Sequence, residues 1–214
     1  AIKLDASLAD SYNTTGYIES LSVRGFLLDQ GNNYLRNGLP VSNIAPLAME
    51  NKERIEVLKG VAGLQSGVSA PGGLVNFVTK TPQRDAFTTA TVGGDSNGGT
   101  KVHLDSNIAW GVLGVRVNLA AEDLHTVFDR ADGKREFAGV ALATALAPST
   151  RLSADLEYHH KKQPSVPGLG LLDTNGDGFG ETLPASNYSR LNLNNQSWSQ
   201  PFEATSTSAQ LAMD

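Results

Sequence analysis

The 214-residue sequence predicts an α+β domain with a short mixed sheet, followed by the antiparallel strands of an incomplete transmembrane β-barrel. Three observations predict it. To about Pro82 the chain mixes short apolar segments with Gly-rich turns, whereas beyond Asp85 alternating segments are separated by polar loops. In that second half apolar residues recur with a period of two, the repeat of a strand with one wet and one apolar face. The connections between those segments are alternately short and long, the habit of barrels that cross a membrane.

In the first half, Leu21 to Phe26, Asn33 to Leu39, Arg54 to Lys59 and Leu74 to Thr79 are the predicted strands, with Asn37-Gly38 and Pro71-Gly72-Gly73 as turns. Pro46 to Lys52 is predicted as a short helix. The linkers are too short for the crossover helices of a βαβ nucleotide fold. The change of texture falls near Thr81 to Asp85, dividing the chain into residues 1–82 and 83–214.

In the second half, Lys101, His103, Asp105 and Asn107 alternate with Val102, Leu104 and Ser106. Arg116, Asn118 and Glu122 alternate with Val115, Val117, Leu119 and Ala121, and Arg151, Ser153, Asp155, Glu157 and His159 with Leu152, Ala154, Leu156 and Tyr158. Phe87 to Val92, Glu136 to Leu146 and Thr205 to Met213 complete six strands. Gly93 to Gly99, Asp123 to Arg135 and Lys161 to Ala204 are the longer connections, and Ile108 to Val112 and Ala147 to Thr150 the tight turns. The apolar faces alone would equally suit a soluble β-sandwich. The length of the last connection weighs against the sandwich, since so long a structureless connection is unusual in a compact soluble domain and long outer loops are ordinary in barrels.

Composition narrows the function. A formal charge of −5 and a pI near 5.3 argue against a nucleic-acid partner. The lack of Cys excludes a disulfide scaffold, a thiolate metal site and a Cys nucleophile. The most apolar window, Ala109 to Val117, is interrupted by Arg116 and is too short for a transmembrane helix. No basic-then-apolar leader follows Ala1, so any secretory signal is expected outside this chain.

The most specific stretch runs from Asn51 to Pro82, NKERIEVLKGVAGLQSGVSAPGGLVNFVTKTP, preceded by SVRGF at Ser22 to Phe26 and by NYLRNGLPV at Asn33 to Val41. Together these resemble the plug domain of TonB-dependent siderophore receptors, in order and in spacing. Val61 departs from the family, which carries Pro after the Lys-Gly. Over the second half the resemblance is only to a generic barrel pattern. The resemblance implies an α+β plug domain inside a barrel of the Gram-negative outer membrane, in contact with outer-membrane lipid. It implies uptake of a ferric siderophore, coupling to TonB through a segment upstream of Ala1, no cofactor and no enzymatic step. Family barrels close with about 22 strands, so a chain with six is expected to be a fragment.

The resemblance also assigns Arg24, Glu53, Arg54 and Glu56 to locking the plug against the polar lumen wall, whose charges include Arg116, Glu122, Asp155 and Glu157. In an ordinary domain the same four would be a solvated face. Plug loops facing outward would bring Gln30, Gly31, Asn32, Asn43, Gln65 and Ser66 to the cargo, with Phe128, Tyr188 and Trp198 as aromatic lids from the long loops.

Other readings stand beside these. The glycines between Leu58 and Leu74 suit a tight loop, and no phosphate-binding motif occurs among them. Asp173, Asn175 and Asp177 begin a Ca²⁺-loop pattern that fails at Pro184, leaving a weak Ca²⁺ candidate against a plain polar turn. His159 and His160 point to opposite faces of a strand and cannot chelate together. Cobalamin, haem or an oligosaccharide are the alternative cargoes on the same scaffold, and a signal-transducing receptor with a further N-terminal domain is a third class. A secreted β-rich hydrolase would need a carboxylate pair or Ser-His constellation in a cleft, which the pattern lacks.

Overall fold

The computed structural model describes residues 6–13, 15–17, 19–44, 47–60, 71–147, 149–167, 172–180, 182, 190–194 and 196–213. The chain forms a three-stranded sheet, a four-stranded sheet and a six-stranded sheet. The first contains β1 (Leu8–Asn13), β2 (Glu19–Val23) and β3 (Phe26–Leu27), all antiparallel. The second contains β4 (Tyr34–Arg36), β5 (Leu39–Pro40), β6 (Lys52–Lys59) and β7 (Gly73–Thr79) in the order β5-β4-β7-β6. It is mixed, because β4 runs parallel to β7 while β6 runs antiparallel to it.

Leu8, Val23, Leu28, Tyr34, Val75 and Phe77 form one buried core between these two sheets, with Ile55 and Val57 packed against it. Burying each such side chain contributes about 1.5–3 kcal/mol. The phenol oxygen of Tyr34 accepts the Leu21 amide at 3.2 Å, so a polar bond crosses the same seam.

Two expectations are corrected here. The segment Leu21 to Phe26 is not one strand: Arg24 and Gly25, at φ 52° and 82°, make the tight turn between β2 and β3. Pro46 to Lys52 is not a helix in its described part, residues 47–52; the Lys52 amide closes a turn on the Met49 carbonyl and Lys52 opens β6. A helix would fan three successive side chains over about 200°, whereas Glu50, Asn51 and Lys52 all bond to the six-stranded sheet or to its partners.

That sheet is a meander of β8 (Phe87–Gly94), β9 (Thr100–Trp110), β10 (Leu113–Leu124), β11 (Gly133–Ala147), β12 (Thr150–Gln163) and β13 (Phe202–Met213). Its register sorts the side chains into two faces. One carries transverse rows such as Ala90-Leu104-Leu119-Ala138-Tyr158 and Val117-Val140-Leu156-Ala209, descending to Trp110-Leu113 at the short turns. From Leu104 to Trp110 these rows cover about 20 Å along the strand. Toward the long loops the same face turns polar, with Asp123, Lys134, Lys162 and Glu203. The opposite face carries Asp105, Asn107, Arg116, Asn118, Arg135, Glu157 and His159, and against it lies the four-stranded sheet.

Candidate functional site

The site is the seam between the four-stranded sheet and the polar face of the meander. Three places on the first half reach it: the end of β4, the turn into β6 and the segment leaving β7. Nearest the long loops, Glu50 is almost wholly buried, its side chain 1% exposed. It accepts from Arg135 Nη2 at 2.5 Å and Nη1 at 3.1 Å, and from Lys101 Nζ at 2.6 Å. The Arg135 fork also donates to Glu122 at 2.5 Å, so one guanidinium bridges a carboxylate of each half. Burial pushes the Glu50 carboxyl up, but the bonds and charge of Arg135 and then Lys101 outweigh it and hold it well below the usual carboxylate range.

The next cluster gathers on Glu157 of β12. Asn51 Nδ2 and Lys52 Nζ donate to it at 2.9 and 2.8 Å, and Arg36 Nη1 lies 3.2 Å away. Arg36 also donates to Ser208 and stands 3.5 Å from Asp155, while Asn37 donates to Gln210 at 3.0 Å. Burial pulls the Lys52 ammonium below its ordinary value, and the Glu157 charge offsets this only in part.

The third cluster centres on Asp105 of β9. It accepts from Arg116 Nε and Nη2 at 2.9 and 2.8 Å and from Lys80 Nζ at 2.7 Å. Arg116 donates onward to the Thr81 carbonyl, and Asn107 exchanges bonds with the Gln83 backbone at 2.9 and 3.0 Å. Small wall residues let the chain come this close: a Cβ on Gly114 would stand 2.6 Å from Pro82 Cβ, and one on Gly139 would stand 3.3 Å from Asn51 Nδ2. The seam is thus built from ion pairs and hydrogen bonds. Removing one partner of a buried pair is costly, yet all of these groups are readily rehydrated if the two halves part.

The residues singled out from the sequence fall in several places. Gln30, Gly31, Asn32 and Asn43 are brought together: the Asn43 amide donates to the Gln30 carbonyl at 3.0 Å, and the Gly31 and Asn32 amides both donate to Asp29. Gln65, Ser66 and Tyr188 lie outside the described residues. Phe128 is half-buried in the loop after β10, and Trp198 is 76% exposed in the loop before β13. Arg24 sits exposed in the β2–β3 turn. Arg54 and Glu56 pair with each other at 2.7 Å, at 58% and 46% side-chain exposure, and Asn76 joins them. Glu53 is exposed, within electrostatic reach of Arg116. The wall residues Arg116, Glu122, Asp155 and Glu157 all enter the seam: Asp155 and Glu157 pair with Arg36 and Lys52 directly, whereas Arg116 pairs with Asp105 and Glu122 with Arg135, and it is Asp105 and Arg135 that reach Lys80 and Glu50. Only alternation on the wall side could have pointed to them. In the 173–179 loop, Asp173 accepts the Gly176 and Gly178 amides and Asp177 accepts the Phe179 amide, so these carboxylates bond to their own loop.

Comparison with known proteins agrees with this arrangement. Residues 1–74 match the family model of the TonB-dependent receptor plug domain. The metal-pseudopaline receptor CntO of Pseudomonas aeruginosa is 37% identical over 114 residues, covering 52% of this chain and 16% of that protein. The catecholate siderophore receptor Fiu of Escherichia coli K12 is 29% identical over 181 residues, covering 84% and 23%. Among solved structures, the open form of Fiu superposes with a TM-score of 0.61 at 27% identity, covering 73% of this chain and 24% of that one. The Pseudomonas aeruginosa receptor FpvA bound to a heterologous pyoverdine reaches a TM-score of 0.74 over 97% of this chain and 28% of that one, and at 20% identity it attests the fold. The chain thus spans about a sixth to a quarter of the length of these curated relatives. With the motifs, the mixed sheet and the polar seam in agreement, residues 1–74 are a TonB-dependent receptor plug domain, and six antiparallel strands follow it in a chain similar to the receptors named above.

Proposed function

We propose that the receptor containing this chain takes up a ferric siderophore in a TonB-dependent step. One observation carries the mechanism: a separately cored sheet sits on the polar face of a β-meander through ion pairs, while the other face of that meander is apolar. The apolar rows would face lipid and the polar face a lumen closed by the plug. Cargo bound near the Gln30 and Asn43 loops would shift the plug between seated and displaced arrangements, and force transmitted through TonB from an upstream segment would open the path. No bond in the cargo is broken. The siderophore satisfies iron, so the protein needs only hydrogen-bonding and aromatic contacts to the organic shell.

The likeness to Fiu and FpvA supports a siderophore as cargo, and the likeness to CntO extends the reading to other metal–metallophore complexes. Arg24, Glu53, Arg54 and Glu56, all exposed and charged, are assigned in this reading to wall strands beyond the six present. Fluorescence-quenching titration of the complete receptor with ferric catecholate, hydroxamate and pyoverdine-type complexes and with metal–pseudopaline is the test. Submicromolar binding to one of them, about −8 kcal/mol or better, is expected. Binding confined to cobalamin or haem would transfer the scaffold to another cargo.

A further inference from the structure

The long connection between β12 and β13 is fastened to the plug at both of its roots. At the first root the Val166 amide donates to the Thr15 carbonyl at 2.8 Å. Beside it Gly16 is buried at φ +79°, and a Cβ there would stand 2.2 Å from the Pro164 carbonyl oxygen. Any side chain at position 16 therefore meets both backbone strain and a steric block. At the second root Phe202, the first residue of β13, meets Tyr17 edge-to-face, with centroids 5.0 Å apart and planes at 72°. Such a pair contributes beyond its buried area and fixes an orientation. Thr15 to Tyr17 lie in the connection between β1 and β2, so three contacts made by successive residues join the loop roots to one plug hairpin as a unit.

The same roots are laced to the rest of the outer loops. Asn194 Nδ2 donates to Ser165 Oγ at 2.9 Å, and Ser199 Oγ donates to Asn194 at 2.8 Å. The Asp129 amide donates to the Arg190 carbonyl, Arg190 Nε to the Val127 carbonyl, and Gln163 Nε2 to the Ala131 carbonyl, each at 2.9 Å. A displacement of either long loop therefore reaches Ser165 and Val166, and through them the β1–β2 turn.

We infer that Gly16, Tyr17 and Phe202 are positioning residues that transmit the state of the outer loops to the β1–β2 hairpin of the plug. The inference rests on the proposed function in one respect, that cargo is what moves the loops. The linkage itself needs only two discrete arrangements of the hairpin, biased by the loops through a continuous chain of contacts.

Amide hydrogen exchange on the complete receptor separates the two. Without cargo, Asn194→Ala cuts the loop from its root without touching the hairpin, and exchange at Leu21 to Val23 is expected to rise at least threefold. Phe202→Ala should raise it at least as much, Phe202→Tyr should restore it, and Asn194→Ala should add nothing in the Phe202→Ala background. With a ferric tris(catecholate) probe bound, wild type should shift hairpin exchange, and Phe202→Ala should lose that shift while its dissociation constant stays within threefold. Unchanged hairpin exchange in Asn194→Ala, or additive effects in the double variant, would overturn the linkage. Joint loss of affinity and response in Phe202→Ala would also overturn it, by placing Phe202 in the cargo site. If wild type binds none of the metal complexes, the proposed function fails, and the Asn194 comparison still decides the linkage.

Discussion

At Glu50 one buried carboxylate answers two cations on different wall strands, and its loss leaves Arg135 with Glu122 alone. Glu50→Gln is expected to weaken plug seating by about 1–3 kcal/mol, the cost of leaving a buried charged partner short of a bond. Lys162→Ala, which opens a pair with Glu203 exposed on both sides, should cost within about 0.5 kcal/mol. Protease sensitivity of residues 1–82 against urea concentration compares the two; a Lys162 effect equal to that of Glu50 would place the seam wrongly. The pH dependence has a definite sign. The Glu50 carboxyl is held below its ordinary value of 4.5, so its contribution is complete above that value and is lost as pH falls toward the folded pKa. The stability gap between wild type and Glu50→Gln should be constant above about pH 5 and narrow below it, whereas a gap that widened in acid would contradict the assignment. Glu50 and Lys52 were not legible as lock residues in the sequence, because alternation tells which side of a strand is polar but not which end of a sheet approaches a wall.

At the scale of elements, what could be read depended on length and repeat. The strands β9, β10 and β12 carry four or more polar-apolar alternations each, and the structure pairs them in the register that the alternation requires. The short plug elements were less legible. Their side chains answer to the core between two sheets and to the seam, so local pattern could not separate a turn at Met49 to Lys52 from a helix. Glycines on the wall mark where elements touch, and they too carry no signal in sequence alone. Gly114 leaves room for Pro82, whereas Gly93 on β8 has no atom within 4 Å of where a Cβ would stand. Gly114→Ala is therefore expected to push the Pro82 segment off the wall at a cost of about 1–3 kcal/mol, and to expose Thr81 to Asp85 to proteolysis. Gly93→Ala should leave both unchanged. Equal behaviour of the two variants, measured by thermal midpoint and cleavage site, would show that Pro82 is not seated on Gly114.

At the largest scale the described chain is organised by one sheet with two unlike faces. Its polar face holds the plug by ion pairs and hydrogen bonds, and its other face is apolar from the row of Leu104 and Tyr158 down to Trp110, then charged toward the long loops at Asp123, Lys134 and Lys162. This division was legible before the structure, since it follows from the period of two alone. The depth of the apolar band was not, because depth depends on which residues stand side by side across six strands. The register supplies it: Leu156 lies in the row of Val117 and Val140, inside the band, whereas Ala121 lies in the row of Glu136 and His160, above it. An arginine at the middle of a bilayer costs a lipid-facing strand about 2–4 kcal/mol and near the interface about 0–1. Leu156→Arg in the complete receptor is thus expected to lower unfolding stability in lipid vesicles by several times as much as Ala121→Arg. Both substitutions point outward and neither touches the plug, so cargo affinity should be unchanged in each. If the two cost the same, the outer face is not graded by depth and does not lie against lipid; a larger cost at Ala121 would mean that the band is displaced toward the long loops.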